Sequence, residues 1–146
     1  MEIITFQSTP DMIDPQFVHI KAFDTSSGKL LLKQRVPQRV SEEWKHSKRI
    51  ELTALLIDKA IKHRYQNYRY ANYTDARVQK AFNRLADLSR SLYSFSSHND
   101  QLDWIQRVML PWLNDIAPRN PTSYPSFHKL IGQLQNHGKA TAQPVT

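Results

Sequence analysis

The chain has 146 residues, enough for one domain with a sizeable hydrophobic core, and it contains no cysteine. Disulfides, thiolate metal sites, iron–sulfur ligation and cysteine nucleophiles are thereby excluded, and only three glycines (Gly28, Gly132, Gly138) argue against a glycine-rich phosphate loop. Lys and Arg total 20 against 13 Asp and Glu, a net charge of +7 that points to a basic domain with an anionic partner.

The first forty residues favour strands. From Phe17 to Phe23, Val18, Ile20 and Ala22 alternate with His19 and Lys21. After the turn-rich Asp24-Thr25-Ser26-Ser27-Gly28, a second run places Leu30, Leu32 and Val36 on one face and Lys29, Lys33 and Arg35, with Leu31, on the other. Period-two alternation about a glycine-containing loop predicts a β-hairpin, which Pro37 ends because proline cannot donate to a ladder. One face of the hairpin is apolar and the other carries His19, Lys21, Lys33 and Arg35.

Ser41 is placed to cap a first long helix, with Glu42 and Glu43 in its opening turn. Ile50, Ala54, Ile57, Ile61, Tyr65 and Tyr68 form one stripe at 100° per residue. The opposite side collects Lys45, Lys48, Arg49, Lys59, Lys62 and His63, and Leu52, Leu55 and Leu56 sit within it. Such a helix either lies between other elements or presents its leucines to a partner. The docking reading is preferred here, because a small domain has few elements to cover both faces.

After a break at Tyr70 to Thr74, with Asn72 or Thr74 as cap, Val78, Ala81, Phe82, Leu85, Leu88 and Leu92 predict a second amphipathic helix. Arg77, Lys80 and Arg84 lie on its outer side. Beyond a polar loop from Ser94 to Asn99, Leu102, Ile105, Met109, Trp112 and Ile116 define a third helix, which Pro111 should kink or split. Pro118, Pro121 and Pro125 mark an extended connection to a last helix built on Phe127, Leu130, Ile131 and Leu134. The expected fold is mainly α: a small bundle of about four helices with an N-terminal β-hairpin. It forms a single domain over residues 1–137, divided into a hairpin region (1–40) and a helical region (41–137). Residues 138–146 are expected to be a disordered tail. Neither a basic leader followed by an apolar run nor a membrane span is visible, so a cytoplasmic location is expected.

Motifs for chemistry are sparse. Gly132 to Gly138-Lys139 is one residue too long for a phosphate-binding loop, and Ala140 replaces the hydroxyl that such a loop requires. The six histidines do not pair at metal spacing, and no strained turn frames a serine nucleophile. No catalytic residue, metal or cofactor is expected. The charge, by contrast, is concentrated. Between Lys29 and Arg90 there are 15 basic and 6 acidic residues, a net of +9. Within that stretch, Arg64-Tyr65-Gln66-Asn67-Tyr68-Arg69-Tyr70-Ala71-Asn72-Tyr73 interleaves four tyrosines with two arginines and two asparagines. Arginine pairs with phosphates and tyrosine rings stack on bases. Tyr65 and Tyr68 continue the core stripe, which leaves Tyr70 and Tyr73 as the better stacking candidates. The expected nucleic-acid contacts are therefore Lys45, Lys48, Arg49, Lys59, Lys62, Arg64, Arg69, Tyr70, Tyr73, Arg77, Lys80 and Arg84. The expected partner contacts are Leu52, Leu55 and Leu56.

In size, helical character and the basic middle from Lys45 through Arg84, the chain resembles the small helical subunit of CRISPR effector (Cascade-type) ribonucleoproteins; the N-terminal hairpin departs from that pattern. The resemblance implies a non-catalytic subunit that holds guide RNA or target DNA by its backbone and touches neighbouring protein subunits. Other classes stay open beside it. One is an adaptor or inhibitor that uses the basic face against an acidic protein, and a small nuclease ranks last.

Overall fold

The computed structural model describes residues 2–64, 76–117 and 125–142; the side chains of residues 64, 77, 78, 126 and 136–142 lie outside that description. The protein is mainly helical with an N-terminal antiparallel sheet. Strands β2 (Phe17–Asp24) and β3 (Leu30–Pro37) form the expected hairpin, and β3 ends at Pro37. A third strand, β1 (Ile4–Pro10), pairs with β2 and was not expected. Its sequence carries only two large apolar residues, Ile4 and Phe6, ahead of a polar run, a pattern that suits an edge strand with one half-covered face.

The register sorts the sheet into two faces. Ile4, Phe6, Ile20, Ala22, Leu32 and Val36 turn inward; Thr5, Gln7, Thr9, Phe17, His19, Lys21, Phe23, Lys33 and Arg35 turn outward. A register shift at Ala22/Phe23 pairs Phe23 with Leu30 and Ala22 with Leu32, so that Leu31 is the extra residue of a bulge. The expected assignments of Leu30 and Leu31 are thereby exchanged: Leu30 is 47% exposed, and Leu31 packs on the core. Gly28 holds the turn at φ +72°, where a side chain would be strained.

A 3-10 turn (Gln38–Val40) leads into α1 (Ser41–Arg64). Ser41 does not cap α1. Its hydroxyl donates to the Gln38 carbonyl at 2.9 Å and closes the preceding turn. Helix α1 is central: it contacts β1 and β3 of the sheet as well as α2 (Ala76–Tyr93), α3 (His98–Trp104) and α5 (Pro125–Ala142). Ile50, Leu52, Ala54, Ile57 and Ile61 are all buried. On α2, Ala81, Leu85, Leu88 and Leu92 are buried as the stripe requires, but Phe82 is 37% exposed at the stripe's edge.

The third helical stretch is divided as Pro111 demands. Between α3 and α4 (Leu110–Ile116) lies a π-helical turn, Ile105–Met109, in which the Leu110 N–H donates to the Ile105 carbonyl. Pro111 has no N–H and its ring crowds the carbonyl four residues back, and one inserted residue relieves both problems. The insertion also rotates the apolar face by about 100°. Leu110 and Leu113 are therefore buried, while the expected Trp112 and Ile116 are only half-buried. On α5, Phe127, Leu130, Ile131 and Leu134 are buried, and the helix runs past Gly138 to Ala142, into the segment expected to be disordered.

Two polar groups hold this arrangement. Gln101 is fully buried; its Nε2 donates to the Ile50 carbonyl of α1 at 2.9 Å and to the Leu92 carbonyl of α2 at 3.1 Å. His98 Nδ1 donates to its Oε1 at 3.0 Å, which orients the amide. Leu92 lies in the last turn of α2, where a carbonyl has no donor further along its own helix. At the other end of the molecule, Asp11 fastens the β1–β2 loop. Its Oδ1 accepts from the N–H groups of Ile13 (2.8 Å) and Asp14 (3.0 Å), and its Oδ2 accepts from His19 Nε2 and Arg35 Nε, each at 2.9 Å. The Asp14 N–H, the Arg35 guanidinium and the Ile13 N–H hold the carboxyl well below the usual carboxylate range.

Replacing Gln101 with Leu keeps the volume and strips a buried carbonyl of its donor. The expected cost is about 1–3 kcal/mol, read as a Tm lowered by several degrees in thermal unfolding. Asp11 contributes stability that is fully present above its unfolded pKa of about 4 and is lost as pH falls through that value toward the lower folded one. Asp11→Asn should therefore flatten the dependence of Tm on pH below about pH 4, with the native protein as reference.

Candidate nucleic-acid interface

The cations of α1 fall into two groups. In its first half they are bound by acids of the same chain. Lys45 Nζ lies 3.3 Å from Glu42 Oε1 and Lys48 Nζ 3.0 Å from Glu51 Oε2. Arg49 reaches Glu2 at 3.1 Å, donates to the Ile4 carbonyl at 3.3 Å and sits 5.0 Å over the Phe6 ring. Arg49 thus ties α1 to the edge strand of the sheet, and its guanidinium already has a carboxylate, a carbonyl and a ring. In the second half, Lys59 is exposed and makes no ion pair among the described residues, and Lys62 is 67% exposed at 3.9 Å from Asp58.

On α2, Lys80 and Arg84 are exposed one turn apart on the flank of the buried stripe, and neither makes an ion pair among the described residues. Like charges at i, i+4 cost a helix a few tenths of a kcal/mol; Asp87, three residues after Arg84, makes no ion pair with it. Arg64 and Arg77 stand at the end of α1 and the start of α2, with side chains outside the description; Arg69, Tyr70 and Tyr73 lie outside the described residues. The arginine–tyrosine cluster is therefore not located by the structure.

The three leucines have a different place from the one expected. Leu52 is 5% exposed and belongs to the core, and Leu55 and Leu56 are half-buried against it. The expectation that Leu52 faces a partner is corrected, because the chain's own core takes up its side chain; helix α1 contacts both the sheet and the other helices. Among the described residues the most exposed large apolar side chains are Met12 and Ile13, at 97% and 95%, on the β1–β2 loop. They form too short a run to register as a periodic signal.

A cleft of about 300 Å³ opens between α1 and the end of α2, lined by His46, Ser47, Ile50, Glu51, Tyr93, Phe95 and Ser96. His46 Nε2 donates to the Ser96 carbonyl at 2.7 Å, which makes it a structural tie across the cleft. Next to it, Asp58 is buried on α1 and accepts from Ser89 Oγ at 3.5 Å and Tyr93 Oη at 3.4 Å. Burial and the charges of Asp58 and Glu51 raise the Tyr93 pKa, so the phenol stays protonated. A protonated phenol and a serine hydroxyl that both donate to one carboxylate secure α1 against α2. Among the described residues no group of three or more His, Asp or Glu side chains is placed to hold a metal ion, and no helix is long and apolar enough to cross a membrane.

Core placement of Leu52 has a direct consequence. Leu52→Ala should cost about 2–5 kcal/mol, seen as a lowered denaturation midpoint. A surface leucine would leave that midpoint unchanged.

No family model matches the sequence, and neither a curated protein nor a solved structure matches it.

Proposed function

We propose that the protein is a non-catalytic, basic nucleic-acid-binding subunit of a larger ribonucleoprotein or nucleoprotein assembly. Its role would parallel that of the small helical subunits of CRISPR effector complexes, which hold guide RNA or target DNA by the backbone. The observation that carries this reading is the set of cations without acidic partners. Lys59, Lys80 and Arg84 are exposed and make no ion pair among the described residues, within a segment of net charge +9. A phosphate backbone supplies the missing anions and gains from each contact through counterion release. The four tyrosines between Arg64 and Tyr73 add stacking capacity for unpaired bases.

A second reading, an adaptor or inhibitor of an acidic protein, is favoured by Met12 and Ile13. Two nearly fully exposed apolar side chains give a protein partner an anchor and give a phosphate backbone nothing.

Affinity for a single-stranded oligonucleotide separates the two. Under the first reading, log affinity falls against log salt with a slope of about −0.7 per phosphate contact, with little preference for sequence. Fluorescence anisotropy across a salt series from about 50 to about 200 mM measures this slope. Affinity indifferent to salt, or no affinity, would favour the adaptor.

A further inference from the structure

The outward face of the N-terminal sheet carries a second set of cations, and they are placed differently from those of the helices. Lys21 and Lys33 are directly opposite each other on β2 and β3. Opposed residues on one face of an antiparallel pair bring their Cβ atoms to about 5 Å, and like charges there destabilise the sheet. Neither lysine has an ion-pair partner among the described residues. The next pair toward the β1–β2 loop, His19 and Arg35, faces the carboxylate of Asp11. That acid is occupied by four hydrogen bonds and is too engaged in them to turn toward the lysines.

Along the central strand the outward side chains read Phe17, His19, Lys21, Phe23, so a cationic middle lies between two aromatic rings. Arg35 stacks over Phe17 at 3.6 Å from the ring centre, and Phe23 stands half-buried at the far end beside exposed Leu30. The remaining neighbours on β1 are the neutral Thr5, Gln7 and Thr9, all exposed. No described element covers this face. Its composition is that of a surface for an extended polyanion with stackable rings: point charges for phosphates, aromatic faces for bases and small polar groups between them.

We infer that the open sheet face binds single-stranded nucleic acid, with Lys21 and Lys33 on phosphates and Phe23 against a base. This rests on the nucleic-acid reading above and assigns the contact to the sheet in place of the first half of α1, whose cations are held by Glu42, Glu51 and Glu2. The pair of facing lysines is kept at a cost to the fold that an anion between them removes.

The experiment compares three proteins by fluorescence anisotropy with a labelled oligothymidylate and by thermal unfolding: the native chain, Lys21→Gln with Lys33→Gln, and Lys80→Gln with Arg84→Gln. The sheet variant should lose about tenfold in affinity at low salt and reduce the salt slope by about 1.4, the share of two phosphate contacts. Its Tm should equal or exceed that of the native chain, because the facing charges are gone. The helix variant should lose less than the sheet variant. A sheet variant that binds like the native chain, or a loss confined to the helix variant, overturns the assignment and leaves the nucleic-acid reading standing. A sheet variant with a lowered Tm shows that the lysines are structural and also overturns it. A native chain that does not bind the oligonucleotide overturns both readings. Binding to phosphatidylserine vesicles in its place would make this face a lipid contact.

Discussion

The buried amide of Gln101 is the contact on which the helical part depends. A side-chain amide in a dry environment must satisfy its donors and its acceptor, and only a few relative positions of α1, α2 and α3 allow that. Gln101 has both donors on carbonyls of two different helices and its acceptor on His98. Apolar side chains could pack these helices at several neighbouring registers at similar energy; the amide selects one. With α1 fixed against α2 and α3, its remaining surface packs on α5 and on the sheet. Ile4, Phe6, Ala22 and Leu32 pack there, with the Phe6 ring set edge-on to Trp44 at 6.2 Å.

Burial of α1 on two sides decides where the charge can go. A helix with little free surface along its middle cannot keep a row of unpaired lysines there, and those near the sheet are neutralised by Glu42, Glu51 and Glu2. Pairs of this kind on a partly exposed surface contribute little to stability, but they withdraw cations from any external anion. The cations that make no ion pair among the described residues are Lys59 late on α1, Lys80 and Arg84 on α2, and Lys21 and Lys33 on the open sheet face. The net charge of +7 thus understates how local the positive potential is, because much of the first half of α1 is electrostatically silent.

Much of this was legible in the sequence, and the parts that were not have physical causes. The stripes on α1, α2 and α5, the β2–β3 hairpin and its end at Pro37 follow from periodicity and from proline, both local properties. The errors come from insertions that shift a period. One bulge residue exchanges Leu30 and Leu31 between faces, and one π-helical residue passes burial from Trp112 to Leu113. The place of Leu52 is not a local property: its burial depends on elements from elsewhere in the chain that pack on α1. Of the candidate interface, Lys80 and Arg84 sit on the outer side as their spacing requires. No spacing rule announces Asp11, since its partner Arg35 is 24 residues away and on another strand.

Asp11 also divides the sheet face into two electrostatic halves. One carboxylate pins the β1–β2 loop through two backbone N–H groups and turns His19 and Arg35 toward itself. The loop end of the face is therefore close to neutral and rigid, while Lys21 and Lys33 stay unbalanced in its middle. Rigidity matters for what the loop carries. Met12 and Ile13 project from a backbone fixed by Asp11 and Asp14, so their exposure costs little additional ordering when a partner covers them. An apolar tip and a cationic platform on one small sheet are separated by a single acid. On the nucleic-acid reading proposed above, Lys21 and Lys33 are the part of this face left for phosphates, and Asp11 keeps Arg35 from adding to their charge.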